Sequence, residues 1–145
     1  MPKIISLRVD IGTRFPAPST SLGKVLLSGL SDAELDAVLA QPSRSGVIPR
    51  RAPDRAELDE LLRDVRAKGW ALTDEALAPG IRSVAAPLRD GSGRVFAAMN
   101  VTVHAAETSL ETLTGDYLPL LLQTAGEVSA DFARCQSVPV TLTAG

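Results

Sequence analysis

Two runs with alternating apolar and small or polar side chains, Ile81 to Leu88 and Val95 to Val103, flank Asp90-Gly91-Ser92-Gly93, a pattern that predicts a β-hairpin. A two-residue loop at Gly91-Ser92 and a four-residue loop from Asp90 to Gly93 give one and the same register, with Ser83 opposite Asn100 and Ile81 opposite Thr102. Side chains alternate across a strand and paired residues share a face. Val84, Ala86, Leu88, Val95, Ala97, Met99 and Val101 therefore make one apolar face. The other face carries Ile81, Ser83, Ala85, Pro87, Phe96, Ala98, Asn100 and Thr102. A buried hydroxyl or amide left unpaired costs roughly 1–3 kcal/mol, so polar groups on a central sheet face need an internal partner or a bound molecule. The alternative is a face turned to solvent. Small Ala85 and Ala98 favour the wall of a pocket, because an exposed strand more often carries Thr, Lys or Glu at such positions.

The rest of the chain is punctuated clearly. Ile5, Leu7, Val9 and Ile11 alternate with Ser6, Arg8 and Asp10, which predicts a half-buried strand ending at Gly12. Pro16 and Pro18 make Thr13 to Ser19 a non-helical loop, after which Ser19 or Thr20 caps a helix through Leu22, Val25, Leu26 and Leu30. Gly23 weakens that helix by about 1 kcal/mol and marks a close approach to its backbone. Ser31 with Glu34, Asp54 with Glu57 and Thr108 with Glu111 have capping-box spacing. They open a helix ending near Ala40, a helix stopped by Gly69, and a long terminal helix that Pro119 should kink or divide. Trp70 to Asp74 is a strand candidate, and Ser137 to Gly145 lacks periodicity. The order β-α-α-α-β-β-β-α has no regular βαβ repeat, which favours an α+β domain with an antiparallel sheet and segregated helices.

Composition narrows the function. A chain of 145 residues, 45% hydrophobic, is one domain with a real core, and a net charge of −2 excludes a nucleic-acid module that relies on a basic excess. One cysteine and one histidine, Cys135 and His104, exclude an internal disulfide and a structural zinc site. No secretion signal is present, and no apolar run approaches the roughly 18 residues of a membrane span, so the expectation is a protein neither exported nor membrane-spanning. A chain that enters a strand at Ile4 also hints at a preceding domain.

Few side chains suggest catalysis. Asp74-Glu75 is the one acidic pair near the hairpin and could act as a base, although a solvated turn is the simpler reading. His104 reads as a surface or packing residue and Cys135 as a packing residue. Arg44, Arg50, Arg51 and Arg55 form a basic cluster with no aromatics interleaved, a solvated face or an inter-subunit salt-bridge partner rather than a nucleic-acid site, with anion binding as the lesser alternative. Thr20-Ser21-Leu22-Gly23-Lys24 is more suggestive, because free backbone N–H groups at a helix N-terminus seat a carboxylate well.

Four blocks carry a family resemblance: Val9-Asp10-Ile11-Gly12-Thr13-Arg14-Phe15-Pro16; Thr20-Ser21-Leu22-Gly23-Lys24-Val25-Leu26-Leu27; Gly69-Trp70-Ala71-Leu72-Thr73-Asp74-Glu75 with Gly80-Ile81-Arg82-Ser83-Val84-Ala85-Ala86-Pro87; and Ala97-Ala98-Met99-Asn100-Val101-Thr102. In this order they resemble the effector-binding domain of the isocitrate-lyase-regulator (IclR) family of bacterial transcription factors, from about Ile4 to Phe132. Arg14-Phe15-Pro16, Asn100-Val101-Thr102 and Leu118-Pro119-Leu120 look most like the subgroup controlling aromatic-acid breakdown through protocatechuate and β-ketoadipate.

The resemblance implies an α/β sandwich of GAF/profilin-like kind, a curved antiparallel sheet with helices packed on it. It implies an effector-binding domain over residues 4–134, a tail over 135–145, and a winged helix-turn-helix that precedes the domain and is absent from this chain. The implied effector is a small organic acid, aromatic or keto. It would be held between the sheet and the first helix by the Ser21-Leu22 backbone, Thr73, Ser83, Asn100 and Thr102, with Leu7 as an apolar wall. The resemblance further implies a homodimer or homotetramer in the cytoplasm, operator DNA bound only through the missing domain, and neither cofactor nor catalytic residues. The chain departs from the family at Thr73 and Ala76, where acidic residues are usual, and at Ser83, often a cysteine. Two rivals remain: a small enzyme using Asp74 or Glu75 on an organic acid, and a purely structural oligomerisation domain.

Overall fold

The runs either side of Asp90 fold back on each other as the two longer strands of an open sheet in a computed structural model that describes residues 8–138. The strands are β1 (Ala71–Asp74), β2 (Ile81–Arg89) and β3 (Val95–His104). In the hairpin, Ile81 pairs with His104, Ser83 with Thr102 and Ala85 with Asn100, two residues away from the expected register. Two one-residue insertions cause the offset. The loop is three residues long: Asp90 N–H donates to Arg94 C=O at 2.9 Å and Gly93 N–H to Asp90 C=O at 3.0 Å, with Gly93 at φ +86° as such loops require. A bulge past the Leu88–Ala97 pair then leaves Phe96 as an extra residue on β3.

One insertion would turn every later side chain to the opposite face, and the second turns them back. The expected faces thus hold for residues 97 to 103. Between the insertions they are reversed: Val95 packs near Val25 and Ala98, and Phe96 stacks on Phe132 with ring centroids 4.1 Å apart. β1 pairs antiparallel with β2, setting Ala71 beside Ala85 and Thr73 beside Ser83. Strand order among the described residues is β1-β2-β3. The fold is α+β, and its sheet is open rather than curled, which departs from the curved GAF/profilin-like sheet expected above. The first predicted strand falls largely outside the described residues. Its described end, Arg8 to Ile11, is not a strand: Asp10 N–H donates to Thr13 Oγ1 at 2.8 Å in a local turn, and Ile11 is fully exposed.

The helices begin close to where their caps place them. Thr20 accepts from Gly23 N–H and opens α1 (Ser21–Ser28). The stretch before it is not wholly non-helical, since Ala17–Ser19 forms one 3₁₀ turn with Pro18 inside it. That turn explains Gly23, where a Cβ would stand 2.1 Å from the Ala17 carbonyl oxygen. Ser31 and Glu34 form the capping box of α2 (Asp32–Leu39), and Asp54 caps α3 (Arg55–Lys68), which Gly69 ends at φ +83°. The terminal helix starts one residue later than expected. Ser109, not Thr108, accepts from Thr112 N–H, because the Thr108 amide closes a turn on His104 C=O. α4 (Leu110–Thr112) widens into a π turn at Leu113–Tyr117 before α5 (Leu118–Ser137). Pro119 has no N–H for the carbonyl four residues back and its ring crowds that carbonyl, which accounts for the widening.

The helices cover both faces of the sheet. Val84 and Ala86 pack with Leu113, Leu118, Leu121 and Ala125 on the α5 side. On the other side Ala71 and Ala85 pack with Val25 of α1 and Val65 of α3. These alanines keep the floor low, so α1 lies close to the strands. Leu27, Leu35, Leu58 and Leu62 tie α1, α2 and α3 into a third cluster. Among the described residues no helix is long and apolar enough to cross a membrane.

Candidate functional site

The register carries Thr73, Ser83 and Thr102 into one row, side by side across all three strands on the α1 face. Asn100 stands in the next row, paired with Ala85, and its Nδ2 donates to Thr102 Oγ1 at 3.1 Å. Ser21, the first residue of α1, reaches down to this row, its Oγ 2.5 Å from Ser83 Oγ. Ser21, Ser83 and Thr73 are buried, whereas Asn100 and Thr102 are exposed on β3. Thr73 Oγ1 is buried with no hydrogen-bond partner among the described residues. Such orphans are uncommon in folded proteins. At the helix start, Lys24 N–H makes the first helical bond to Thr20 C=O and Gly23 N–H goes to Thr20 Oγ1. The Ser21 and Leu22 amides precede that first bond, where helices leave N–H groups free and favour negative charge.

Above the row lies a cleft of about 1090 Å³. All six described candidates, Ser21, Leu22, Thr73, Ser83, Asn100 and Thr102, line it, whereas Leu7 lies outside the described residues. The 3₁₀ turn forms one wall, fixed by Ser19 Oγ donating to Arg51 C=O at 2.9 Å and by its nesting on Gly23. Leu26, Leu27, Val38 and Leu39 supply an apolar end, and Arg14, Phe15 and Arg44 come from the loops. Sequence reasoning did not assign these last residues to the site. Their signal lay in the Arg14-Phe15-Pro16 block and the proline-interrupted basic stretch, but which loop tips meet depends on tertiary packing. His104 also lines the cleft, at the end of β3.

Other candidates have structural partners. Asp74 Oδ1 accepts from Arg82 Nε at 2.7 Å, and Glu75, in the left-handed region at φ 59°, accepts from Gly80 N–H at 2.6 Å. Neither lines the cleft: Asp74 ends β1 opposite Arg82, and Glu75 begins the β1–β2 connection. Arg51 pairs with Glu57, and Arg55 with Asp36 and Asp59, so these members of the basic cluster have partners within the chain. Cys135 is exposed on α5 rather than packed, as α5 presents that position outward. Among the described residues no group of three or more His, Cys, Asp or Glu could hold a metal ion. Lys24 does not line the cleft: burial draws its pKa down to about 8 against the raising effect of Asp64, and Nζ donates to Leu72 C=O at 2.5 Å.

Hydroxyls, an amide and free helix N–H groups converging on a cleft can orient a small polar molecule, and on this α+β scaffold they define a small-molecule-sensing domain. Residues 1–130 match the family described as bacterial transcriptional regulator IclR C-terminal. The chain belongs to the IclR family of bacterial transcriptional regulators, as the C-terminal effector-binding domain. It is 36% identical over 120 residues to the Pca regulon regulatory protein of Pseudomonas putida, an alignment covering 83% of this chain and 41% of that protein. The chain thus spans less than half the length of that relative. Among solved structures, it is similar to a transcriptional regulator of Rhodococcus sp. RHA1, at TM-score 0.79 and 42% identity, over 92% of this chain and 53% of that one. It is also similar to a double mutant of the inducer-binding domain of PobR from Acinetobacter, solved with 3-hydroxybenzoic acid, at TM-score 0.70 and 30% identity, over 81% and 67% of the two chains.

Proposed function

We propose that the domain senses a small organic acid, aromatic or keto, whose carboxylate lies on the Ser21 and Leu22 amides and whose polar groups meet Thr73, Ser83, Asn100 and Thr102. Leu7 would add an apolar wall. The observation that carries this reading is the unpartnered Thr73 hydroxyl at the floor of the cleft, beside the Ser21–Ser83 pair. Thr73 and Ala76 also remove the acidic side chains usual at these positions in the family, which suits an anion. Asp74 and Glu75 are engaged elsewhere, which takes from the enzymatic rival the base it relies on. The names of the relatives, one concerned with the Pca regulon and one an inducer-binding domain solved with 3-hydroxybenzoic acid, favour an aromatic-acid pathway.

The effector-binding unit would run over residues 4–134, with 135–145 as a tail whose first three residues are the last of α5. A winged helix-turn-helix outside this chain would bind operator DNA in the cytoplasm. Binding alters operator affinity only if the effector favours one arrangement of a homodimer or homotetramer over another.

Thr73→Val separates this reading from a filled structural core. Removing an orphan hydroxyl should leave the unliganded domain as stable as before or slightly more so. Affinity for an acid found by thermal-shift screening of aromatic and keto acids should weaken by roughly 1–3 kcal/mol. A screen in which no acid raises the melting temperature, or unchanged affinity in the variant by calorimetry, refutes the assignment.

A further inference from the structure

Val25, Val65, Ala71 and Ala85 fill the middle of the α1 face of the sheet, and a second cavity opens beyond them, at the C-terminal end of α1. It shares no lining residue with the cleft at the N-terminal end. Its volume of about 330 Å³ stands at the lower end of the range, about 300–1,000 Å³, that holds small ligands. Among the described residues, its only charged lining groups are Arg66, in the last turn of α3, and Arg89, at the end of β2. A run of contacts links the two around the cavity. Arg66 Nε donates to Ser28 C=O at 2.9 Å, a Cβ on Gly29 would stand 2.9 Å from the Val95 Cβ, and Val95 pairs with Arg89 across the hairpin. Arg89 Nη1 donates to Gly93 C=O at 3.0 Å. A guanidinium has five N–H donors. Each of these makes that one side-chain hydrogen bond and has no carboxylate within 4.0 Å among the described residues. The carbonyl ends of α1 and α3 meet here, and Arg66 offsets their negative partial charge. That role uses one N–H of Arg66 and none of Arg89, and it needs no cavity.

We propose that this cavity is a second ligand site, separate from the effector cleft, in which Arg66 and Arg89 hold a phosphate ion or a small phosphate monoester. Two positive charges with no negative one in the lining match a dianion, and the planar guanidinium fork engages its oxygens in pairs. The two helix ends oppose any anion, so a single negative charge gains little there and the site selects for the doubled charge. Both arginines are exposed, which makes binding weak and sensitive to salt. The proposal does not depend on what occupies the cleft.

The test titrates this chain with inorganic phosphate, methyl phosphate and dimethyl phosphate by calorimetry, above neutral pH and at constant ionic strength. Phosphate and methyl phosphate, both dianions there, should bind saturably, and the tighter of the two identifies the free ion or the monoester as the class held. Dimethyl phosphate carries one charge and should bind about tenfold more weakly or not at all. Arg66→Gln/Arg89→Gln should weaken phosphate binding about tenfold, with circular dichroism confirming the fold. Arg89→Gln alone keeps the Arg66–Ser28 bond and should weaken it severalfold, which preserves the test if the double variant does not fold. Arg63→Gln, which removes an exposed arginine of α3 outside the cavity, should leave affinity unchanged. No saturable phosphate binding, equal binding of dimethyl phosphate, or an equal loss in Arg63→Gln overturns the site. Phosphate affinity that survives both the double and the single substitution also overturns it, and would move the anion to the Ser21 end of the cleft.

Discussion

Lys24 shows how one residue can look like a ligand-binding group and serve the scaffold instead. It follows Ser21 by three positions, on the side of α1 that faces the sheet, and its ammonium ends on Leu72 C=O of β1, the edge strand of the described sheet. Burial of the ammonium lowers the pKa from an ordinary 10.5 to about 8. The unfolded chain therefore binds more protons than the folded one between those values, so this group's contribution to stability rises with pH from about 8 to 10.5. The full span corresponds to an upper limit on the order of 3 kcal/mol. Urea unfolding of wild type and Lys24→Met across this window should show that rise in the wild type and its loss in the variant. Parallel curves would mean that the ammonium is hydrated in solution. The sequence did contain a signal here, a lysine within an apolar and small-residue stripe, but the adjacent helix N-terminus drew the reading toward an anion.

At the level of elements, cap chemistry was legible because it is local. Thr20, Ser31 and Asp54 bond to backbone groups three residues on, and no distant contact overrides them. Ser109 displaced Thr108 because His104 C=O took the Thr108 amide, a competition that spacing alone does not reveal. The hairpin shows the same limit. The polar face of β2 and β3 was readable from alternation, and Ser83 does face Thr102 and Asn100 across it, but the pairing depends on how Asp90 organises its loop. Its carboxylate takes the Ser92 and Arg94 amides and the Ser92 hydroxyl, so that Gly93 must adopt positive φ. No atom lies within 4 Å of a Cβ placed on Gly93, so the cost of a substitution there is set by the backbone. Gly93→Ala should lose about 1–2 kcal/mol in chemical denaturation, and Gly93→Asn less, since asparagine tolerates the left-handed region. Equal losses for both variants would point to a different loop geometry. The Phe96 bulge left no comparable mark in the sequence. It shows in the shifted pairing past Leu88–Ala97 and in the Phe96–Phe132 stack, a contact between β3 and α5.

Across the whole molecule, the sheet joins the effector side to the side that reports on folding. Thr73, Ser83 and Ala85 face α1, while Leu72, Val84 and Ala86 on the same strands pack toward α5 with Trp70, the chain's one tryptophan. The cluster of Leu27, Leu35, Leu58 and Leu62 touches neither Trp70 nor α5, but α1 and α3 also supply Val25 and Val65 to the cluster against the sheet. No layer can lose its packing without exposing the next, so the described fold should unfold in one step. Leu62 is completely buried in the most distant cluster, and Leu62→Ala should cost about 2–5 kcal/mol through lost burial and the cavity left behind. Trp70 fluorescence and far-ultraviolet circular dichroism should then report the same lowered midpoint, although the substitution lies on the opposite side of the sheet from the reporter. A lowered dichroism midpoint with unchanged Trp70 fluorescence would divide the domain into independent layers. An acid bound at the Ser21 end could then stabilise its own layer without reaching α5. With a single shared transition, its binding energy stabilises the entire domain, as a sensor that acts beyond its pocket requires.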